Sequence, residues 1–117
     1  MSWDVFVMDV PQGIVSLAAI PKDYQRKPLG SRTAIMAVIT QLFPDAQTTD
    51  LSWARLERLP AFSLEISLGE CEPVEQFTFH TRGGSEARLA ISKILDALGL
   101  RALDPESPTG LFESSRN

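Results

Sequence analysis

The residues best suited to chemistry in this chain are its single histidine, His80, and an arginine two positions later, Arg82. They stand in the segment FHTRGGSE, where a predicted strand ends and a predicted helix begins. A guanidinium can hold a carboxylate or phosphate through two hydrogen bonds, and the free N–H groups at the start of a helix favour anions. The segment therefore indicates an anion or small-ligand site at His80, Arg82, Gly83, Gly84 and the start of the second helix.

Two features favour a simpler interpretation of the same segment. A pair of glycines before a helix is typical of a tight strand-to-helix turn, because glycine adopts backbone conformations that other residues avoid. Glu86 also places a negative charge where a bound anion would lie. Both interpretations stay open at this point.

Catalysis at His80 would need a group that orients the imidazole and a nucleophile that it activates. Glu65 is the candidate orienting group if its strand pairs in register with the strand of His80. The candidate nucleophiles are Ser63, Ser67 and Cys71. Their spacing selects none of them, and the sequence contains neither a G-x-S-x-G elbow nor a catalytic cysteine signature. We therefore assign no catalytic residue and favour a non-enzymatic binding role.

Composition argues against several other classes of function. A metal site needs three or four ligands, but the chain has one histidine and one cysteine, so we predict no metal. Dinucleotide and P-loop fingerprints are absent, and we predict no cofactor. Fifteen acidic against eleven basic residues disfavour a nucleic-acid partner. The lack of a long apolar stretch disfavours a membrane, and the single cysteine suits the cytoplasm.

Hydrophobic periodicity predicts an α+β fold with the order β-α-β-β-β-α, followed by a short final strand. Consecutive strands with short links favour a mainly antiparallel sheet. We predict one domain over residues 1–112 and a frayed tail over 113–117. Residues 45–50 read as a polar linker. The predicted strands are 3–10, 53–58, 62–68, 74–81 and 101–103, and the predicted helices are 31–43, capped by Ser31, and 85–98, capped by Ser85.

Each helix has a single apolar stripe, which predicts a two-layer sandwich with both helices on one face of the sheet. The other face would stay open. It would carry Ser63, Glu65, Ser67, Gln76, Thr78 and His80. The long loop Ile14–Gly30 adds a second candidate surface, and the apolar residues in its first half are predicted to pack on the core. The expected partner is another protein or a second copy of the chain.

Four segments resemble a family of small bacterial proteins of uncharacterised function. They are SWDVFVMDVP at the N-terminus, I-P-x-D-x-x-x-x-P-L-G from Ile20, F-x-F-H-x-R-G-G from Phe77, and LGLRALDPESPTGLF near the C-terminus. The resemblance implies a bacterial, stand-alone cytoplasmic domain and no particular activity. The size, acidity and α+β pattern are also similar to immunity proteins of bacterial toxin systems, which is an analogy of class alone.

The leading prediction from the sequence is thus a non-enzymatic interaction domain, similar in kind to an immunity protein. The residues predicted to contact a ligand or partner are His80, Arg82, Gly83, Gly84, Glu65 and Thr78. The alternative is a small enzyme or anion binder with its site near His80, Arg82 and the start of the second helix.

Overall fold

A six-stranded antiparallel sheet forms one layer of the molecule, and two helices form the other. The computed structural model describes residues 2–113. The sheet has the order β2-β3-β4-β5-β1-β6, so the first strand along the chain inserts between the last two. The strands are β1 (Ser2–Met8), β2 (Gln47–Asp50), β3 (Trp53–Arg58), β4 (Phe62–Ser67), β5 (Gln76–Gly83) and β6 (Ala102–Leu103), and the helices are α1 (Arg32–Leu42) and α2 (Ser85–Leu98). The predicted α+β class is confirmed.

The core lies between the helices and one face of the sheet. Strand β4 shows the reason most clearly, because buried and half-buried residues alternate along its whole length. Its apolar residues face the stripes of α1 and α2, as the period of two predicts. The largest fully buried apolar residues of this core are Val5, Ile35, Ile39, Leu56, Leu64, Ile66, Phe79, Ile91 and Ile94, together with Val7 and Val74.

The helix boundaries follow local signals, with one exception. Ser31 caps α1 as predicted, because its hydroxyl accepts a hydrogen bond from the N–H of Ala34 at 3.0 Å. Gly99 ends α2 in the left-handed conformation with φ of 67°, which suits glycine. The prediction that Ser85 caps α2 is wrong. Ser85 is the first residue of the helix, and Gly84 precedes it without a side-chain cap.

The predicted polar linker at residues 45–50 is also wrong in part, because Gln47–Asp50 forms the edge strand β2. Gln47 pairs with Arg55, and Thr48 pairs with Ala54. An edge strand has a neighbour on only one side and can remain polar, so its sequence lacks the apolar alternation that identifies an inner strand. This strand forms because it pairs with β3, and the pattern of its own residues does not predict a strand.

The long loop before α1 is held by polar contacts more than by apolar burial. Its only regular element is a 3-10 turn at Leu17–Ala19. Val15 is 78% exposed and Leu17 is 45% exposed, so the prediction that the apolar first half packs on the core is wrong at these two residues. The second half is tied to Asp9, whose carboxylate accepts hydrogen bonds from the Tyr24 hydroxyl at 2.6 Å and the Lys27 N–H at 2.9 Å. These two bonds lower the pKa of Asp9.

The C-terminal segment returns to the sheet after β6. Leu111 is buried and forms a bridge to Leu103, so the segment docks as its apolar residues predict. Of the predicted frayed tail, residues 114–117 lie outside the described residues. Within residues 2–113, no helix combines the length and the apolar character that crossing a membrane requires.

Candidate functional site

Among residues 2–113, no helix or strand covers the face of the sheet opposite the helices, and we call it the open face. It carries the row that the sequence predicted to face solvent. The side chains of His80 and Glu65 are 49% and 43% exposed, while Thr78 is half-buried. Their neighbours along the same strands, such as Phe79 and Ile66, are buried on the helix side. The alternation along β4 and β5 therefore places Glu65, Thr78 and His80 on one accessible surface.

Strand register brings five polar residues of the open face into one line across the sheet, which we call the charged row. The row runs Gln47, Arg55, Glu65, His80, Asp4, because each residue lies directly opposite the next on the adjacent strand. The signs of its charges alternate in part, since Arg55 stands beside Glu65 at 4.0 Å from Nε to Oε1.

The histidine is oriented by a different carboxylate from the one the sequence suggested. His80 Nδ1 lies 3.1 Å from Asp4 Oδ1. Glu65 also stands opposite His80 in register, from the other side, but no hydrogen bond joins them in the described part of the chain. Both side chains of the His80–Asp4 pair are nearly half exposed, so water competes for the contact.

A depression of about 510 Å³ surrounds this pair on the open face. It contains two arginines, of which Arg82 makes no ion pair or side-chain hydrogen bond with any residue between 2 and 113. The Nε atom of Arg55 is buried and has no hydrogen-bond acceptor within the described chain. The depression is lined by Ser2, Asp4, Arg55, Ser63, Glu65, His80, Thr81 and Arg82.

A second line of residues lies next to the charged row on the open face, and we call it the aromatic row. It consists of Trp53, Ser67, Thr78, Phe6 and Leu103, again by direct strand pairing. All five side chains are half-buried, so their apolar surface is partly in contact with water. The open face thus divides into a charged part and a part that is rich in aromatic and aliphatic surface.

The segment FHTRGGSE does not form one site. Arg82 points onto the open face with His80, whereas Gly83 and Gly84 line a separate depression of about 370 Å³ at the start of α2. That depression is shared with Arg88, whose guanidinium lies over the ring of Trp3 at 5.1 Å. The predicted anion site is therefore split between two surfaces.

The fold requires a glycine at position 83 whether or not a ligand binds there. Its φ is +119°, and a Cβ atom there would lie 2.6 Å from the Cβ of Phe62 and 2.8 Å from the carbonyl oxygen of Ala61. Its own carbonyl accepts a hydrogen bond from the Trp3 indole N–H at 2.9 Å. Only glycine fits where β5 passes this close to the start of β4.

The three candidate nucleophiles are dispersed. Ser63 lines the depression around His80, Ser67 belongs to the aromatic row, and Cys71 lies in the exposed connection between β4 and β5. Across residues 2–113, no three histidine, cysteine or acidic side chains gather as a metal ion requires.

Asp4, Arg55 and Trp53 contribute to the open face, but sequence reasoning did not assign them to it. Asp4 interrupts an apolar strand, and a charge on one side of an inner strand is a signal that this side is not buried. The register that sets Asp4 beside His80 depends on β1 pairing with β5, and these two residues are 76 positions apart in the sequence. Arg55 and Trp53 fall in the strand whose boundaries were least defined by pattern.

The fold and this face define a class of protein, namely a small α+β domain whose antiparallel sheet is covered on one side only. The chain matches no family model, no curated protein and no solved structure. A functional assignment therefore rests on the geometry and chemistry of the open face.

Proposed function

We propose that this chain is a non-enzymatic binding domain that takes a folded protein partner on its open face. The observation that carries the proposal is the combination of the charged row and the aromatic row on one uncovered surface. Arginine and aromatic residues are enriched in protein interfaces, where they supply most of the binding energy. A polyanion would be repelled by Asp4 and Glu65, whereas a protein surface can match charges of both signs.

The size of the open face suits a modest interface. Six strands about 4.8 Å apart and roughly 20 Å long give on the order of 500 Å² on this chain, or about 1,000 Å² when both partners are counted. That value lies at the low end for specific complexes, so the expected complex is transient. The proposal also includes a bacterial, cytoplasmic setting and a role similar in kind to that of an immunity protein. The chain's net charge of −4 favours a basic partner.

The test places a photo-crosslinking amino acid at Ser67 on the open face and, as the matched control, at Asp96 on the exposed side of α2. In host lysate, we expect defined protein adducts from Ser67 and none of the same mass from Asp96. The substitution Glu65→Lys should abolish the Ser67 adducts, whereas Lys93→Glu on α2 should leave them unchanged. Identical adducts from both positions, or adducts insensitive to Glu65→Lys, would contradict the proposal.

A second candidate function is the binding of a small acidic molecule in the depression around His80. It is favoured by one observation, the presence in this depression of Arg82, whose guanidinium makes no ion pair or side-chain hydrogen bond with residues 2–113. Arg55 stands nearby but already donates from Nη2 to Glu57 at 3.2 Å. Titration with inorganic phosphate or citrate, followed by nuclear magnetic resonance, should then shift the signals of His80 and Arg82. Arg82→Ala should remove the shifts and Lys93→Ala should not. Shifts spread evenly over the whole surface would refute specific binding.

A further inference from the structure

We infer that the open face also binds a second copy of this chain, around a two-fold axis parallel to the strands that runs between β4 and β5. The inference rests on the surface of the proposed function and adds a second occupant to it. Because both copies carry the same net charge of −4, their fit depends on local charge pairing and not on net charge. Such an axis lays the two open faces against each other and preserves the position of each residue along the strands. It exchanges β4 with β5, and β3 with β1.

The charged row is complementary to itself under this rotation. Arg55 on β3 meets Asp4 of the second copy on β1, and the reciprocal contact forms on the other side of the axis. Glu65 on β4 meets His80 of the second copy on β5. Four contacts thus form along one line. Two of them pair the opposite charges of Arg55 and Asp4, and two bring Glu65 and His80 together, which can hydrogen-bond. Long side chains such as arginine can bridge the spacing of about 10 Å between stacked sheets.

Several other two-fold axes in the plane of the face set like charges together, and others bring less of the face into contact. An axis along the charged row places Arg55 on Arg55 and Glu65 on Glu65. An axis along β4 again places Glu65 on Glu65, and an axis along β5 places Glu65 on Asp4 of the second copy. An axis between the two rows would lay the charged row on the aromatic row and leave charges buried without partners, which is costly. An axis between β3 and β4 would also pair Arg55 with Glu65 of the second copy, but it would leave β1 and β6 outside the contact. Charge complementarity over the whole face therefore favours the axis between β4 and β5.

The same axis also brings favourable contacts to the aromatic row and to Arg82. In the aromatic row, Trp53 meets Phe6 of the second copy, and Ser67 meets Thr78. Aromatic pairs of this kind add binding energy beyond the area they bury. Arg82, which has no carboxylate partner between residues 2 and 113, comes opposite Ser63 of the second copy and next to its Glu57.

A two-fold axis parallel to the strands also suits the shape of the sheet. Twisted sheets stack face to face with their strands nearly aligned, and this rotation keeps the hand of the twist in both copies. The total area of about 1,000 Å² lies near the lower limit for a specific interface. We therefore expect a reversible dimer that forms in the micromolar range or weaker, and not an obligate one.

The test is a charge exchange measured by sedimentation equilibrium on the whole chain, from about 1 µM to 1 mM, with a reducing agent to exclude disulfides through Cys71. Arg55→Glu and Asp4→Lys should each weaken dimerisation at least tenfold, because each change creates two repulsive contacts per dimer. The double variant should restore the wild-type dissociation constant to within about threefold. The exposed pair Lys93→Glu and Asp96→Lys on α2 serves as the control and should change it by less than twofold.

The double variant makes the test specific for contact between copies. Within one chain, Asp4 and Arg55 lie three strand spacings apart, roughly 14 Å, so exchanging their charges cannot restore a contact inside the monomer. Circular dichroism should show all variants folded. A wild-type protein that stays monomeric at 1 mM would overturn the inference, and so would a dimer that the double exchange fails to restore. Adducts with other proteins at Ser67 would still support the proposed function in either case.

Discussion

Replacement of Gly83 by alanine tests whether this residue serves the fold or a ligand. The glycine lies at the end of β5, opposite Phe62 at the start of β4. Its φ of +119° is rarely adopted by residues with a side chain, and the new Cβ would lie 2.6 Å from the Phe62 Cβ and 2.8 Å from the Ala61 carbonyl oxygen. Because one of the opposing atoms belongs to the backbone, the strands themselves would have to separate.

The loss of folding stability caused by Gly83→Ala can be estimated from two contributions, the positive φ and the steric overlap of the new Cβ. Positive φ costs a residue with a Cβ about 1–2 kcal/mol. Forcing an extra methyl group into a packed site costs about 1–3 kcal/mol more. The sum, roughly 2–5 kcal/mol, is a large part of the roughly 5–15 kcal/mol that stabilises a domain of this kind. In thermal unfolding it corresponds to a fall in Tm of about 10 °C or more.

Gly99→Ala is the matched control. Gly99 also has a positive φ, of 67°, but no atom lies within 4 Å of the position that its Cβ would take. We expect Gly99→Ala to cost only the conformational part, about 1–2 kcal/mol. Urea unfolding of both variants measures the difference. Equal losses of stability would refute the close approach at Phe62 and return Gly83 to the list of candidate ligand-binding residues.

Three further predictions concern side chains. Arg88→Ala should lower the free energy of unfolding in urea by about 2–4 kcal/mol. The reason is that Arg88 Nη2 lies 3.5 Å from the buried carboxylate of Asp104 and that its guanidinium stacks on two aromatic rings. A loss below about 1 kcal/mol would contradict this prediction. Tyr24→Phe should lower the free energy of unfolding more at pH 7 than at pH 3. The Tyr24 hydrogen bond lowers the pKa of Asp9 below 3.8, so its contribution is present above that value and disappears as the pH falls through the folded pKa. An equal difference at both pH values would show that the bond is not coupled to ionisation. His80→Ala should change the free energy of unfolding by less than about 0.5 kcal/mol, since the side chain is half exposed; a larger loss would assign His80 to the fold.

The candidate site shows which features of the open face the sequence could predict and which it could not. Alternation along 62–68 and 74–81 placed Glu65, Thr78 and His80 on the open side, and in the structure all three lie on that face, with Thr78 half-buried. The sequence offered Glu65 as a candidate orienting group for His80 if their strands pair in register, and they do, but no hydrogen bond joins the two within residues 2–113. The insertion of β1 beside β5 supplies Asp4 instead.

The sequence by itself determined the α+β class, both helices and the alternating strands, because these depend on interactions between residues that are near each other in the chain. Helix stripes, the Ser31 cap and the Gly99 ending are all local signals of this kind. The order of the strands, the edge strand β2 and the two rows of the open face were decided only by tertiary structure. They depend on which distant strands pair and in what register, and that choice follows from the packing energy of the whole sheet, which no single segment encodes.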